Sequence, residues 1–246
     1  MIEKLWLGFR STIFMIVFAT STIVAGLLTP LLYLIPRKYC LPILKSWTHF
    51  NVAALGIICG VKYQLKNPEN LQQERAHIVL ANHQSTWETM AIPNHLPRFA
   101  WVLKKELFKV PFFGWAVKLV EPIAIDRSAG HSAIDQIKDI GTKKLEEGTW
   151  ITMFPEGTRV VPGKKVRYKM GGAILASHSG FPILPIAHNA GDSWPRHSWI
   201  KKPGMITISI GEPIQTEGRS AGDIIKEVEN WIETEKTQLP PFSQRS

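Results

Sequence analysis

Two stretches of this sequence carry side chains suited to chemistry. The first is Asn82-His83-Gln84-Ser85-Thr86-Trp87-Glu88. A histidine backed by a carboxylate is the pairing of a general base. The imidazole takes a proton, and the carboxylate orients the ring and stabilises its charged form. Residues five apart on a regular helix point about 140° apart, onto different faces. A working pair therefore needs His83 on a turn and Glu88 in the first turns of a helix, with Ser85 or Thr86 as the cap. Taken alone the pair is a weak signal. With eight histidines and 20 acidic residues, roughly 0.6 such spacings arise by chance.

The second stretch is Phe154-Pro155-Glu156-Gly157-Thr158-Arg159. A strand that stops at a proline and opens a glycine-containing turn presents backbone N–H groups and a hydroxyl. Arg159 adds a planar fork that matches phosphate. The plainer reading of the same residues is a polar loop with a surface ion pair.

The elements that position these stretches follow from the hydrophobic pattern. AHIVLA (76–81) reads as a buried strand, followed by a turn and a helix through TWETMAIP. RFAWVL (98–103), EPIAID, TWITMF (149–154), FPILPIAH and GMITISIGEPI read as further strands. PFFGWAVKLV and GGAILASHSG fit short helices, the latter stopping on Gly180. In 129–147, Ile134, Ile137, Ile140 and Leu145 fall at roughly helical spacing, and 224–239 closes the chain with a charged amphipathic helix. Strands alternating with helices give an α/β fold, with a mixed, largely buried sheet flanked by helices.

The N-terminal end differs in kind. Residues 11–36 carry no charge, a run longer than the ~20 residues a membrane-spanning helix needs. Lys4 and Arg10 flank it on one side, Arg37 and Lys38 on the other, so flanking charge sets no orientation. Pro30 predicts a kink or reversal near Gly26. The shorter apolar stretch 46–60 reads as an interfacial or packed helix. Two arrangements fit: a single span followed by an amphipathic helix, or a two-helix hairpin dipping into one leaflet. The expected organisation is a membrane-associated segment over 1–60, a catalytic domain over 61–240 and a flexible tail over 241–246. Cys40 and Cys59 have neither disulfide-framework nor zinc spacing. The net charge of +9 favours an anionic partner: a membrane surface, a phosphate-bearing substrate or nucleic acid.

The two stretches together are more informative than either. A histidine with an acidic residue five positions on, followed downstream by FPEGTR, resembles the glycerolipid acyltransferases, most closely the bacterial 1-acylglycerol-3-phosphate acyltransferases. The segment from Lys105-Glu106-Leu107 through Pro111, Gly114 and Ile125-Asp126-Arg127 is similar to that family's second block. FPILPIAHNAG is similar to its fourth, and Tyr168 to Ala173 to the segment between the third and fourth. The resemblance runs from about Val61 to Pro213, and FPEGTR arises by chance on the order of once in 10⁵ sequences or less. The family's usual acidic partner is Asp; this chain has Glu88.

The resemblance implies transfer of a fatty-acyl group from acyl-CoA or acyl carrier protein to the sn-2 hydroxyl of lysophosphatidic acid. A different lysolipid or glycerol 3-phosphate is the alternative acceptor. His83 is then the general base and Glu88 its partner. Arg159, Lys105 and Arg127 become the phosphate clamps, while Glu156, Gly157 and Thr158 complete the substrate site. Asn82 shapes that site, and backbone N–H groups near Gly157 are the expected oxyanion donors. Neither a metal, another cofactor nor a covalent acyl-enzyme is required. The expected location is the bacterial inner membrane, with the catalytic domain facing the cytoplasm and lipids as partners.

Three rival readings are weaker. Gly218-Arg219-Ser220-Ala221-Gly222 has the spacing of a hydrolase nucleophile elbow. A polar stretch precedes it, however, and no histidine follows Ser220. Lys164, Lys165, Arg167 and Lys169 form the densest basic patch, but no nucleic-acid-binding motif accompanies them. A basic rim for headgroups or donor phosphates fits better, so nucleic acid is not an expected partner. A non-catalytic membrane tether would leave His83 and Glu88 without a role. The other histidines, His197 among them, read as structural.

Overall fold

A computed structural model describes residues 2–126 and 131–240. Two helices come first, α1 (Ile2–Leu32) and α2 (Cys40–Cys59). They are antiparallel: Arg10 bonds the Ile58 carbonyl, Ser21 Oγ donates to Asn51 Oδ1 at 3.0 Å, and Cys40 Sγ meets the Leu32 carbonyl. The reversal expected near Gly26 falls later, after Leu32. Pro30 sits in the last helical turn, where few intrahelical bonds remain to be broken.

The chain then builds β1 (Val61–Lys66), β2 (Ile78–Ala81), α3 (Trp87–Asn94), β3 (Phe99–Lys104), α4 (Phe113–Lys118) and β4 (Ile123–Ile125). It continues with α5 (His131–Glu146), β5 (Trp150–Met153), α6 (Gly171–Ser179), β6 (Ile183–His188), α7 (Ala190–Ser193), β7 (Gly204–Ile210) and α8 (Ala221–Gln238). The strands form one mixed sheet in the order β1-β7-β6-β2-β5-β3-β4. β6, β2, β5, β3 and β4 run parallel, while β7 is antiparallel to β6 and carries β1 parallel to itself. β2, β5 and β6 are continuous apolar runs because both faces of the sheet are covered.

One expected core position is wrong. Ile140 is exposed, and the buried stripe of α5 runs Ala133, Ile137, Gly141, Leu145 instead. Gly141 holds that row because a Cβ there would come within 2.8 Å of Leu175 on α6. Tight α5–α6 packing thus rotates Ile140 outward.

The helical pair is built into the body. Phe14, fully buried, lies between Phe18 and Trp194, 5.3 Å from the latter's ring. Ser11 Oγ accepts from the Lys201 N–H, and Thr12 Oγ1 accepts from the Trp199 indole N–H. Farther along α1, Gly26 faces Phe112 so closely that a Cβ would lie 2.3 Å from the Phe112 Cβ. Taken whole, α1 is long and apolar enough to cross a membrane, and its Leu27, Leu28 and Leu31 are at least half exposed.

Candidate active site

β2 and β5 are adjacent and parallel, and they end together, with Leu80 opposite Met153. Their carboxyl ends deliver the two chemical stretches to one place, the usual ligand crevice of such sheets. The Val160 N–H donates to the His83 carbonyl at 2.7 Å and ties the two loops together.

His83 Nδ1 and Glu88 Oε1 are 2.8 Å apart. The same oxygen accepts from the Gln84 N–H at 2.8 Å and the Ser85 N–H at 2.7 Å. Glu88 is fully buried. Burial alone would raise its carboxyl, but the nearby His188 and His83 and the donated hydrogen bonds hold it below the usual carboxylate range. An ionised carboxylate can only accept, so His83 Nδ1 carries the proton of that bond and Nε2 keeps a lone pair. The imidazole stacks on the Phe154 ring at 4.0 Å and 8°, and Trp101 stacks behind Phe154. These contacts fix the ring in orientation and tautomer. Ser85 rather than Thr86 helps start α3, its Oγ accepting from the Trp87 N–H.

Asn82 works behind the site. Its side chain donates to the His188 carbonyl and accepts from the His188 N–H, and its own carbonyl meets His188 Nε2 at 2.7 Å. This pins the end of β2 to the end of β6 and sets where His83 leaves the sheet.

The structure redistributes the other expected site residues. Glu156 is buried, and Oε2 accepts from the His83 N–H at 3.2 Å. It therefore holds the His83 main chain and does not line the cavity. Burial pushes its carboxyl up to about 8. Gly157 lies at φ +72°, over the Lys169 side chain, where a Cβ would meet Cε at 2.7 Å. Its own N–H donates to the Phe154 carbonyl at 3.0 Å, so that amide is spent inside the turn and is not an oxyanion donor. Thr158 and Arg159 line the cavity with His83. Lys105 is exposed and does not line the cavity; its neighbour Lys104, at the end of β3, does. Lys104 is the last residue of β3, whereas Lys105 opens the 3₁₀ turn Lys105–Lys109, so only the former is placed by the strand. Arg127 lies outside the described residues.

The cavity measures about 670 Å³, within the ~300–1,000 Å³ range of ligand pockets. Most of its wall is apolar, and that part comes from three sources: Phe18 and Ala25 of α1, Trp47 of α2, and Phe99, Phe113 and Val117 of the β3–α4 region. Arg196 and His197 also line it. Neither has a recognisable spacing to the two chemical stretches, and only the folded chain brings them there.

Residues 62–189 match the family model for acyltransferases. The chain belongs to the acyltransferase family. It is 38% identical over 206 residues to the 1-acyl-sn-glycerol-3-phosphate acyltransferase of Pseudomonas aeruginosa, covering 82% of this chain and 80% of that one. The human 1-acyl-sn-glycerol-3-phosphate acyltransferase beta is 28% identical over 169 residues, which cover 67% of this chain and 60% of that one. The crystal structure of the 1-acyl-sn-glycerophosphate acyltransferase PlsC from Thermotoga maritima shares the fold. Its TM-score is 0.78 at 24% identity, over 100% of this chain and 98% of that one. For an acyltransferase the site has an economical layout. The His83–Glu88 pair, the turn and the cavity meet at the carboxyl ends of the central strands, and the enzyme's N-terminal helices form part of the same cavity wall.

Proposed function

We propose that this acyltransferase moves a fatty-acyl group from an acyl thioester, on coenzyme A or acyl carrier protein, to the sn-2 hydroxyl of lysophosphatidic acid, giving phosphatidic acid. The observation that carries the reading is the junction of three features. The His83–Glu88 pair stands at an apolar cavity suited to an acyl chain, and Arg159 lines the same cavity. The names of its relatives point the same way.

In this reaction His83 Nε2 takes the proton of the acceptor hydroxyl as the oxygen attacks the thioester carbonyl. Glu88 stabilises the imidazolium. The tetrahedral intermediate collapses with cleavage of the carbon–sulfur bond, and the imidazolium returns its proton to the departing thiolate. Atoms and charge balance without a metal or any resident cofactor. Lys104 and the Thr158 hydroxyl line the cavity and are the donors assigned to the developing oxyanion. Exposed apolar side chains on α1 and α2, including Leu27, Leu31 and Phe50, support a membrane setting; the bacterial inner membrane, with the body at the cytoplasmic face, is the location proposed with this function.

The test is purified enzyme in nanodiscs with a panel of lysolipids and both thioester donors. Lysophosphatidic acid is the expected preferred acceptor, and His83→Ala should lower turnover by at least ~10³-fold. Near-normal turnover by that variant would refute the mechanism, and indifference to the acceptor phosphate would refute the substrate.

A further inference from the structure

Arg196 and His197 lie beyond the segment that matches the family model, in the turn between α7 and β7. Both nonetheless line the cavity shared by His83 and Arg159. Arg196 Nη1 donates to the Arg159 main-chain carbonyl at 3.0 Å, and its Nε donates to His197 Nε2 at 2.8 Å. Two of the guanidinium's five N–H donors are thus committed to aiming it, and the rest of the fork is left over. His197 adopts φ +59°, a left-handed conformation uncommon for a residue with a side chain. The turn that imposes it is closed by the Ser198 N–H on the Pro195 carbonyl. Backbone strain of this kind persists where the surrounding structure enforces it, and here it delivers the ring that accepts from Arg196.

The second observation is electrostatic. Desolvation lowers the half-buried Arg159 guanidinium from its usual value, Glu88 partly offsets this, and the nearness of Arg196 lowers it further by a smaller amount. Among the described residues, no ion pair joins either arginine to a carboxylate. An anion at this cavity wall would meet both guanidiniums and relieve the repulsion between them.

We propose that Arg196, aimed by His197, is the second arm of an anion clamp with Arg159, and that it binds the phosphomonoester of the acceptor lipid. This rests on the function proposed above. Arg159, Arg196 and His83 line one cavity, and the residue after Arg159 donates its N–H to the His83 carbonyl, so the clamp is close to His83. In the acceptor the phosphate is on the carbon next to the reacting one. In the thioester donor it lies at the far end of the long pantetheine arm. The guanidinium fork suits a dianionic phosphate better than a single ammonium does.

The test measures binding separately from turnover. Isothermal titration of detergent-solubilised enzyme with lysophosphatidic acid, in the absence of donor, should give a Kd about 10- to 100-fold weaker for Arg196→Gln. That range corresponds to one charge-assisted hydrogen-bonding group. Binding of 1-monoacylglycerol, which lacks the phosphate, should not change. Arg196→Lys should fall between, and His197→Ala should lose a smaller part. The melting temperature of Arg196→Gln should stay unchanged, because the side chain is exposed. In kinetics the acceptor KM should rise with kcat within about threefold, and the acyl-CoA KM should hold. Unchanged lysophosphatidic acid binding overturns the clamp. A raised acyl-CoA KM that disappears with S-acyl pantetheine overturns it in favour of the donor's phosphates. If wild-type enzyme binds the phospholipid but transfers nothing to it, the proposed function falls while the clamp stands.

Discussion

Glu88→Asp is the most discriminating perturbation of the base, because it keeps the charge and changes only the reach. Glu88 Oε1 receives three hydrogen bonds at 2.7–2.8 Å, from the His83 ring and from the amides of Gln84 and Ser85. Removing one methylene withdraws the carboxylate by about 1.5 Å. With the main chain in place, those contacts lengthen to about 4 Å, beyond hydrogen bonding. Each charge-assisted bond contributes about 1.5–3 kcal/mol, and a buried amide left unpaired costs about 1–3 kcal/mol. The three bonds converge on one atom, and the loop follows part of the way. A net loss of about 2–4 kcal/mol is therefore expected. At about 2–4 °C per kcal/mol for a chain of this size, the melting temperature should fall by roughly 5–15 °C. The ring also loses its orienting partner, so kcat should drop about 10²-fold, with acceptor KM changed less than about threefold. Tryptophan-fluorescence melts in detergent and a thiol-release assay measure both quantities. Glu88→Gln is the complementary variant. It keeps the reach and the backbone contacts, and so most of the melting temperature, but loses turnover because a neutral amide does not stabilise imidazolium. An Asp variant with wild-type melting and turnover within twofold would show that the loop is not built around the longer side chain.

Two further outcomes follow from buried contacts. Glu156 has its carboxyl raised to about 8 in the fold, against about 4.3 in the unfolded chain. Between these values the folded state retains a proton the unfolded state has released, so this contribution to stability is full below about pH 4.3 and is lost as pH rises through 8. Glu156→Gln keeps an acceptor for the His83 N–H and cannot ionise. Its melting temperature should gain on wild type steadily from about pH 4.3 to 8, and parallel curves would contradict the assignment. At Gly26 an added Cβ would lie 2.3 Å from the Phe112 Cβ and 2.6 Å from its Cα, so Gly26→Ala forces α1 and α4 apart. A destabilisation of about 1–3 kcal/mol and an altered acyl-chain preference are expected, read by melting and by a panel of acyl-CoA lengths. An unchanged melt would place the helices farther apart than described.

What the residues disclosed and what they concealed have separate physical causes. The strands β2, β5 and β6 were legible because burial on both faces demands continuous apolar runs, and Pro155 and Gly180 mark breaks in the pattern. β1 was not: as an edge strand it carries Lys62 and Lys66, and only Val61 is fully covered. His83 and Glu88 were legible because the chemistry and its geometry are both local, contained in one strand-turn-helix. The role of Glu156 was concealed. Its residue type fits a substrate contact and a main-chain clamp equally well, and the choice depends on where β5 lands beside β2. Lys104 and Lys105 fall on either side of the end of β3, a boundary that a short apolar run does not fix. Arg196 reaches the cavity through a turn whose position depends on the whole sheet.

The apolar N-terminal segment has a second role besides membrane association. Half of a typical anchor's surface could be replaced by any apolar sequence, but α1 and α2 are not generic where they face the body. Gly26 admits Phe112, Phe14 fills a closed site against Trp194, and Ser11 and Thr12 each meet a specific donor. The same two helices contribute Phe18, Ala25 and Trp47 to the cavity that ends at His83. Under the proposed function, a wall with exposed apolar side chains on one side and cavity-lining ones on the other would let an acyl chain reach His83 from a bilayer without crossing water. At ~0.8 kcal/mol for each methylene exposed, a long chain leaving the bilayer through solvent would face a prohibitive barrier. Under that function the helical pair would serve the acyl chain as well as the membrane, and its packing constraints are those of the cavity it lines.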